Sequence, residues 1–553
     1  MSTVFEKFAP QFVTVGGEIR RRMDLTAEKI LKHTDIDGCF ASHYHNRSEK
    51  TDVPGGFTGY GMLLDAVVKA AANNIGGDAM RELKRHRIAK LLSTQDENGE
   101  ISIFSDKPGF WDSHDQAYLI QALVLDHRYF GETASLSAAV RLADFLIGRD
   151  AAVTLGSETA FLLLAEESGE ARFLEFCRTK FIIESDIDTY DRQLQVNGVA
   201  HVYTWVARVL AQLQYVKLTG KHDKKLLSGL YELYERVFHK GYSSVSGSCS
   251  GGFFWGELWD DTQIGLGKWG ETCVSAYLLR CTAEMLTYEP ESCYGDLYER
   301  IMYNAFFGAQ SDDGLRQRYF IPFNEPGEWY AHETYCCPNN LRRMMFELPQ
   351  AIYYKTGDGV AVNLYTDSTL QTEEYSISQK TCYPLEGAVE LQICSAKAFT
   401  LRLRIPRWCS EAVIRNGTTE TATPGWHAVP IEAGQSTAIR IEFPMPVRLI
   451  AGTRAQTGRV AVMRGPVVYA VEMKRNELTG HQMDLLTIDN TKSITSTGNN
   501  LAISCLIPNR DYFQKVVTFT RFSAENRTRT YFPILQSTDS LVEDELFLSK
   551  KGI

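Results

Sequence analysis

No run of about 18 uncharged apolar residues, the length a membrane-crossing helix needs, occurs anywhere in the 553-residue sequence. Its start, Met1-Ser2-Thr3-Val4-Phe5-Glu6-Lys7, also lacks the basic head and apolar stretch of a secretory leader, so a cytoplasmic location is expected. Cationic excess is missing too. The 58 Lys and Arg stand against 68 Asp and Glu, and the formal charge of -10 repels nucleic acid and anionic membrane unless one face is locally basic. The compact basic clusters, Arg20 to Arg22 and Lys84 to Arg87, lie among mixed-charge helix formers and are expected on solvated helix faces. Disulfides are not expected in a reducing compartment. The 12 cysteines should therefore be mostly free and buried, and any cluster of them becomes a metal or nucleophile candidate.

What the sequence does contain is 44% hydrophobic and 11% aromatic residues, the composition of a globular protein. The length implies about three to four modules, or one large toroid with appendages. From about residue 55 to about residue 350 apolar residues recur at helical spacing, and segments close on glycine at Gly131, Gly169 and Gly220. Helical hairpins stacked in series are expected, and a closed ring of them is an α/α toroid. After about Tyr354 the period becomes two, as in Leu401-Arg402-Leu403-Arg404-Ile405 and Val460-Ala461-Val462-Met463, with turns at Asn416-Gly417 and Gly465-Pro466. The expected architecture is an α/α toroid, an (α/α)6 barrel, over residues 1–350 with its first fifty residues free to pack on the β-region. A β-sandwich region over 351–553, as one sandwich or two small ones, would follow.

One pattern is a decoy. Gly265-Leu266-Gly267-Lys268-Trp269-Gly270 satisfies the dinucleotide fingerprint, but the preceding Asp260-Asp261-Thr262-Gln263 is no buried strand. The informative cluster is Glu271-Thr272-Cys273 with Cys336-Cys337-Pro338. Three thiols and a carboxylate make a complete tetrahedral zinc shell, although free cysteines are also ordinary core residues. Glu257, in Phe253-Phe254-Trp255-Gly256-Glu257-Leu258-Trp259, sits in an aromatic-rich loop of the type that raises a carboxyl pKa and suits sugar rings. His114 and His201 stand at expected helix starts, where a toroid gathers side chains near its rim. Glu299 and Tyr319 read as ordinary helix and strand residues on their own.

Together with Glu299-Arg300-Ile301-Met302-Tyr303-Asn304 and Cys336-Cys337-Pro338-Asn339-Asn340-Leu341-Arg342-Arg343, these motifs resemble glycoside hydrolase family 127, typified by β-L-arabinofuranosidase. Leu403-Arg404-Ile405-Pro406-Arg407-Trp408-Cys409 and Met463-Arg464-Gly465-Pro466-Val467-Val468-Tyr469 continue the likeness, which covers roughly residues 55 to 475. The resemblance implies a retaining exo-glycosidase that acts on small oligosaccharides, with Cys336 as nucleophile and Glu257 as acid/base. It also implies Zn2+ held by Glu271, Cys273, Cys336 and Cys337, and a furanose held by His114, His201, Glu299 and Tyr319. Ser157 stands where the family has a histidine, which leaves the glycone open between β-L-arabinofuranose and another unusual pentose or anhydro sugar. A carbohydrate-binding protein with a structural zinc is the non-enzymatic alternative. Oligomeric state is open, a homodimer included.

Overall fold

The computed structural model describes residues 5–35, 38, 42–47, 59–103, 110–149, 157–196, 201–239, 247, 259, 262–265, 268–324, 327–330, 336–508, 512–522, 528–536 and 541–546. Helices α1 (Gly17–Leu25), α2 (Ser42–His45), α3 (Tyr60–Ala72), α4 (Gly77–Leu92), α5 (Phe110–Phe130), α6 (Thr133–Gly148) and α7 (Glu158–Ser168) come first. They are followed by α8 (Ala171–Thr179), α9 (Ile187–Val196), α10 (Val202–Thr219), α11 (Ser228–Tyr234), α12 (Thr272–Tyr288), α13 (Ser292–Ile301) and α14 (Cys336–Met345).

The packing order follows from how much of each helix is apolar. Helices α10 and α12 are buried along almost their whole length, as a helix with neighbours on both flanks must be. Helix α8 buries only Phe173, Phe176 and Cys177, the three-and-four spacing of a surface helix. Accordingly α3 packs on α5, α5 on α7, α7 on α10, α10 on α12, α12 on α14, and α14 back on α3, so the neighbours close a cycle. Helices α4, α6, α8 and α13 each lie against the cycle member that precedes them. The glycine stops act as expected: Gly169 and Gly220 end α7 and α10 in the left-handed conformation, at φ 71° and 68°.

The basic clusters follow the sequence expectation only in part: Arg21, Arg85 and His86 are exposed, but each cluster also sends residues inward. Arg22 is buried, bonding the carbonyl of Phe307, and Lys84 is buried in an ion pair with Asp126 at 2.6 Å. Arg87 is buried as well. Arg22 keeps a local partner in Glu18 at 2.8 Å, but the Phe307 carbonyl and Asp126 are remote in sequence, so local charge mixing could not reveal the burial. The ten described cysteines are free.

From Tyr353 onward the described elements are mainly strands, and they show the expected alternation, most regularly in Ala388–Ser395. A five-stranded and a seven-stranded sheet are each completed by the N-terminal segment: Glu6–Lys7 pairs with Tyr353–Thr356, and Val13–Val15 with Ser368–Gln371. A nine-stranded sheet spans Val447 to Phe532 around a core of its own that includes Val462, Leu501 and Phe519.

Buried polar groups join the helices to these sheets. Arg404 pairs with Asp296 and lies 3.2 Å from Glu299, and Arg300 pairs with Asp544 at 3.1 Å. The Asn304 side chain donates to the Pro466 carbonyl and accepts from the Val468 amide. No described helix is long and apolar enough to cross a membrane.

Candidate active site

The thiols meet at the N-terminal ends of two neighbouring helices. Glu271 is the N-cap of α12 and Cys273 lies in its first turn, while Cys336 and Cys337 open α14. Helix α12 is pinned there by the segment after Gln317–Arg318: the Thr272 amide donates to the Tyr319 carbonyl and the Thr272 hydroxyl to that of Arg318. The same register places the Tyr319 hydroxyl 3.5 Å from Cys336 Sγ. The sulfurs of Cys273, Cys336 and Cys337 lie within 4.8 Å of one another, those of Cys273 and Cys337 at 3.1 Å. Glu271 Oε1 stands 3.5 Å from Cys337 Sγ. Cys273 and Cys337 are buried and Cys336 is half-buried.

Electrostatics separate the three thiols. Burial pushes the Cys273 and Cys337 thiols up. Hydrogen bonds from Cys273, Cys337 and Tyr319 hold Cys336 well below the usual thiol range. The sulfur of the three with the best access to solvent is thus also the one whose thiolate its neighbours favour, and the thiolate is the nucleophilic form of cysteine.

Histidines approach from the other side. His114 lies early in α5 and His201 is the N-cap of α10, and both contact the Tyr203 ring edge-on, at centroid distances of 6.5 and 5.4 Å. Tyr203 lies 3.3 Å from His114 Nε2 through its hydroxyl. Burial, only partly offset by the Cys336 charge, lowers His114 to about 4, so its ring is neutral near pH 7 and can both donate and accept.

Of the residues singled out in the sequence, the structure brings together Glu271, Cys273, Cys336, Cys337, Tyr319, His114 and His201. Glu257 lies outside the described residues. Glu299 goes elsewhere. Its carboxylate accepts from the Tyr383 hydroxyl at 2.6 Å and Trp408 Nε1 at 3.3 Å and pairs with Arg404, all three from the β-region. Both of its oxygens are committed to partners at the seam between helices and sheets. Sequence reasoning also missed polar neighbours beneath the thiols, chiefly Asn340, Arg343, Tyr118 and Tyr277. Their signal was the run Asn339, Asn340, Arg342 and Arg343 on a helix that the fold buries completely at those positions.

Comparison with known proteins decides the family. The chain matches the profile of the beta-L-arabinofuranosidase GH127 catalytic domain over residues 24–350. It matches the GH127 middle domain over 359–445 and the family 127 C-terminal domain over 447–530. The chain belongs to glycoside hydrolase family 127. This family 127 hydrolase is 26% identical, over 459 residues and 68% of each chain, to the non-reducing end beta-L-arabinofuranosidase of Bifidobacterium longum subsp. longum. Its fold matches a GH127 beta-L-arabinofuranosidase from Geobacillus stearothermophilus T6 with a TM-score of 0.78, at 20% identity, covering 94% of this chain and 100% of that one. A second solved structure, a GH127 beta-arabinofuranosidase, matches with a TM-score of 0.80 at 18% identity, covering 96% and 98%. The two junctions between the three profiles fall where the helices give way to the first two sheets and where the nine-stranded sheet begins.

Proposed function

We propose that this family 127 hydrolase is a retaining exo-glycosidase that releases terminal β-L-arabinofuranose from small oligosaccharides, with Cys336 as nucleophile and Glu257 as acid/base. The glycone is taken from the names of the relatives. The chemistry rests on one observation, the convergence of three sulfurs of which Cys336 is half-buried while the other two are buried. We also read the closed cycle of helices as an α/α toroid, with the sheets after about residue 350 forming β-sandwiches.

The donor set fits zinc. Three sulfurs and a carboxylate oxygen, supplied by Cys273, Cys336, Cys337 and Glu271, are the ligand types and number of a tetrahedral site. Buried thiols crowded within 4.8 Å make a poor apolar core, which supports the same reading. Zinc bound there would keep the thiols deprotonated at neutral pH.

The chain's own residues account for the steps. Cys336 Sγ attacks the anomeric carbon as the bond to the glycosidic oxygen breaks, and Glu257 gives that oxygen its proton. A water then loses a proton to the Glu257 carboxylate, attacks the same carbon and displaces the Cys336 sulfur. Two inversions leave the configuration retained. Neutral His114, His201 and the Tyr319 hydroxyl surround Cys336 as donors and acceptors for furanose hydroxyls.

The test is zinc analysis of purified protein together with hydrolysis of p-nitrophenyl β-L-arabinofuranoside by wild type and Cys336→Ser. About one zinc per chain, with turnover lost in the variant, is expected. Turnover that survives Cys336→Ser removes the nucleophile assignment. Zinc without turnover in the wild type moves the reading to another glycone.

A further inference from the structure

We infer that Asn340 is a positioning residue of the thiol site: it fixes the Cys273 sulfur as a hydrogen-bond acceptor and so leaves Cys336 as the sulfur that reacts. The inference rests on the zinc-thiolate reading above, and it adds a cause for the different behaviour of neighbouring thiols.

Asn340 is fully buried in α14, with Nδ2 3.2 Å from Cys273 Sγ. Its other amide atom, Oδ1, lies 3.0 Å from Arg343 Nη1 and 3.5 Å from Arg280 Nη1. A guanidinium only donates, so the amide oxygen must face the arginines and the NH2 must face sulfur. The orientation follows from hydrogen-bond logic alone.

Neither arginine is free to turn away. Arg343 is paired with Asp65 of α3, donates to Gln121 Oε1 of α5 at 2.8 Å, and lies 4.5 Å over the Tyr118 ring. Arg280 of α12 is bound at both ends of its fork by Glu347, at 2.9 Å. Four elements of the fold thus set the direction of one side-chain amide.

The effect on the sulfurs is unequal. Cys273 receives the Asn340 N–H, and Cys337 receives the Cys273 backbone N–H at 3.4 Å. Cys336 faces the Tyr319 hydroxyl at 3.5 Å and is the half-buried member of the three. A donor aimed at a ligand's sulfur stabilises its charge and orients it on the metal, and such outer partners are worth about 10–100-fold in metal affinity. Asn340 thereby keeps Cys273 a resident ligand.

The experiment compares wild type with Asn340→Asp and Asn340→Ser. Zinc affinity is read by competition with a chromophoric chelator, and thermal unfolding is read on the metal-free proteins. Asn340→Asp keeps an acceptor for Arg343 and Arg280 but turns a charged oxygen, in place of the N–H donor, towards the Cys273 sulfur, whereas Asn340→Ser removes the donor without adding charge. Asn340→Asp should bind zinc about 10–100-fold more weakly while the metal-free protein melts near the wild type. Zinc affinity within twofold of wild type in either folded variant overturns the inference, as does weakening that appears only together with a matching loss of metal-free stability. Wild-type protein that takes up no zinc overturns the zinc-thiolate reading and this inference with it, an outcome distinct from equal affinity in wild type and variant.

Discussion

Glu299 offers the sharpest test of where the site ends. The side chain is about 1% exposed and its carboxylate is enclosed by Tyr383, Trp408 and Arg404. All three neighbours donate, and a carboxylate is the group that accepts from all of them. Glu299→Leu leaves the Arg404 guanidinium buried with Asp296 as its remaining acidic partner and the Asn363 carbonyl as a neutral one, and deleting one member of a buried ion pair costs about 3–5 kcal/mol. Glu299→Gln keeps an acceptor for Tyr383 but turns an NH2 towards Trp408 or Arg404, so one buried donor loses its partner at about 1–3 kcal/mol. The assay is urea unfolding followed by tryptophan fluorescence, with KM for the nitrophenyl arabinofuranoside measured on protein that remains folded. We expect a graded loss of stability, Leu worse than Gln, with KM within about twofold of wild type. Stability within about 1 kcal/mol of wild type combined with a tenfold rise in KM would refute the seam assignment and return Glu299 to the sugar.

The remaining expectations concern buried charges of α4 and α5. Burial raises Asp115 to about 8, against a stabilising hydrogen bond from the Tyr44 hydroxyl, with Asp112, itself pushed up to about 7, adding to the rise. A carboxyl whose folded-state pKa is raised contributes stability that is complete below pH 4 and is lost as pH rises towards 8. Asp115→Asn should therefore gain on the wild type by up to about 3 kcal/mol between pH 5 and pH 7, and a pH-independent difference in denaturation midpoint would contradict this. Lys84→Met strands Asp126, whose other described partner is the Ser135 hydroxyl at 2.6 Å, and should cost about 3–5 kcal/mol in denaturant unfolding. A loss under 1 kcal/mol would place Lys84 back on a solvated face.

Legibility in the sequence depended on how local each cause was. The strands of the β-region, the glycine helix stops and the start of α10 beside His201 are set by neighbours in the chain, and residue pattern reaches them. Cys273 and Cys336 are legible for a different reason: four metal-binding residues in two short motifs are rare without a use. The direction of Glu299 was not legible, because its partners Tyr383, Trp408 and Arg404 lie on strands and turns of another module. Lys84 failed for the same cause on a smaller scale, since its acid lies 42 residues away on another helix. Asn340 could be seen as part of a motif, but its role depends on two arginines held by three other elements.

The two short strands near the N-terminus carry a consequence for synthesis. Glu6–Lys7 and Val13–Val15 leave the ribosome before the helices, yet their partners begin at Tyr353 and Ser368. While the described helices from α1 to α14 are being made, the native partners of these strands do not yet exist, and a strand with open edges is a template for foreign pairing. Their shortness limits that exposure, and the chain ties its beginning into the sheets only once the helical part has been made.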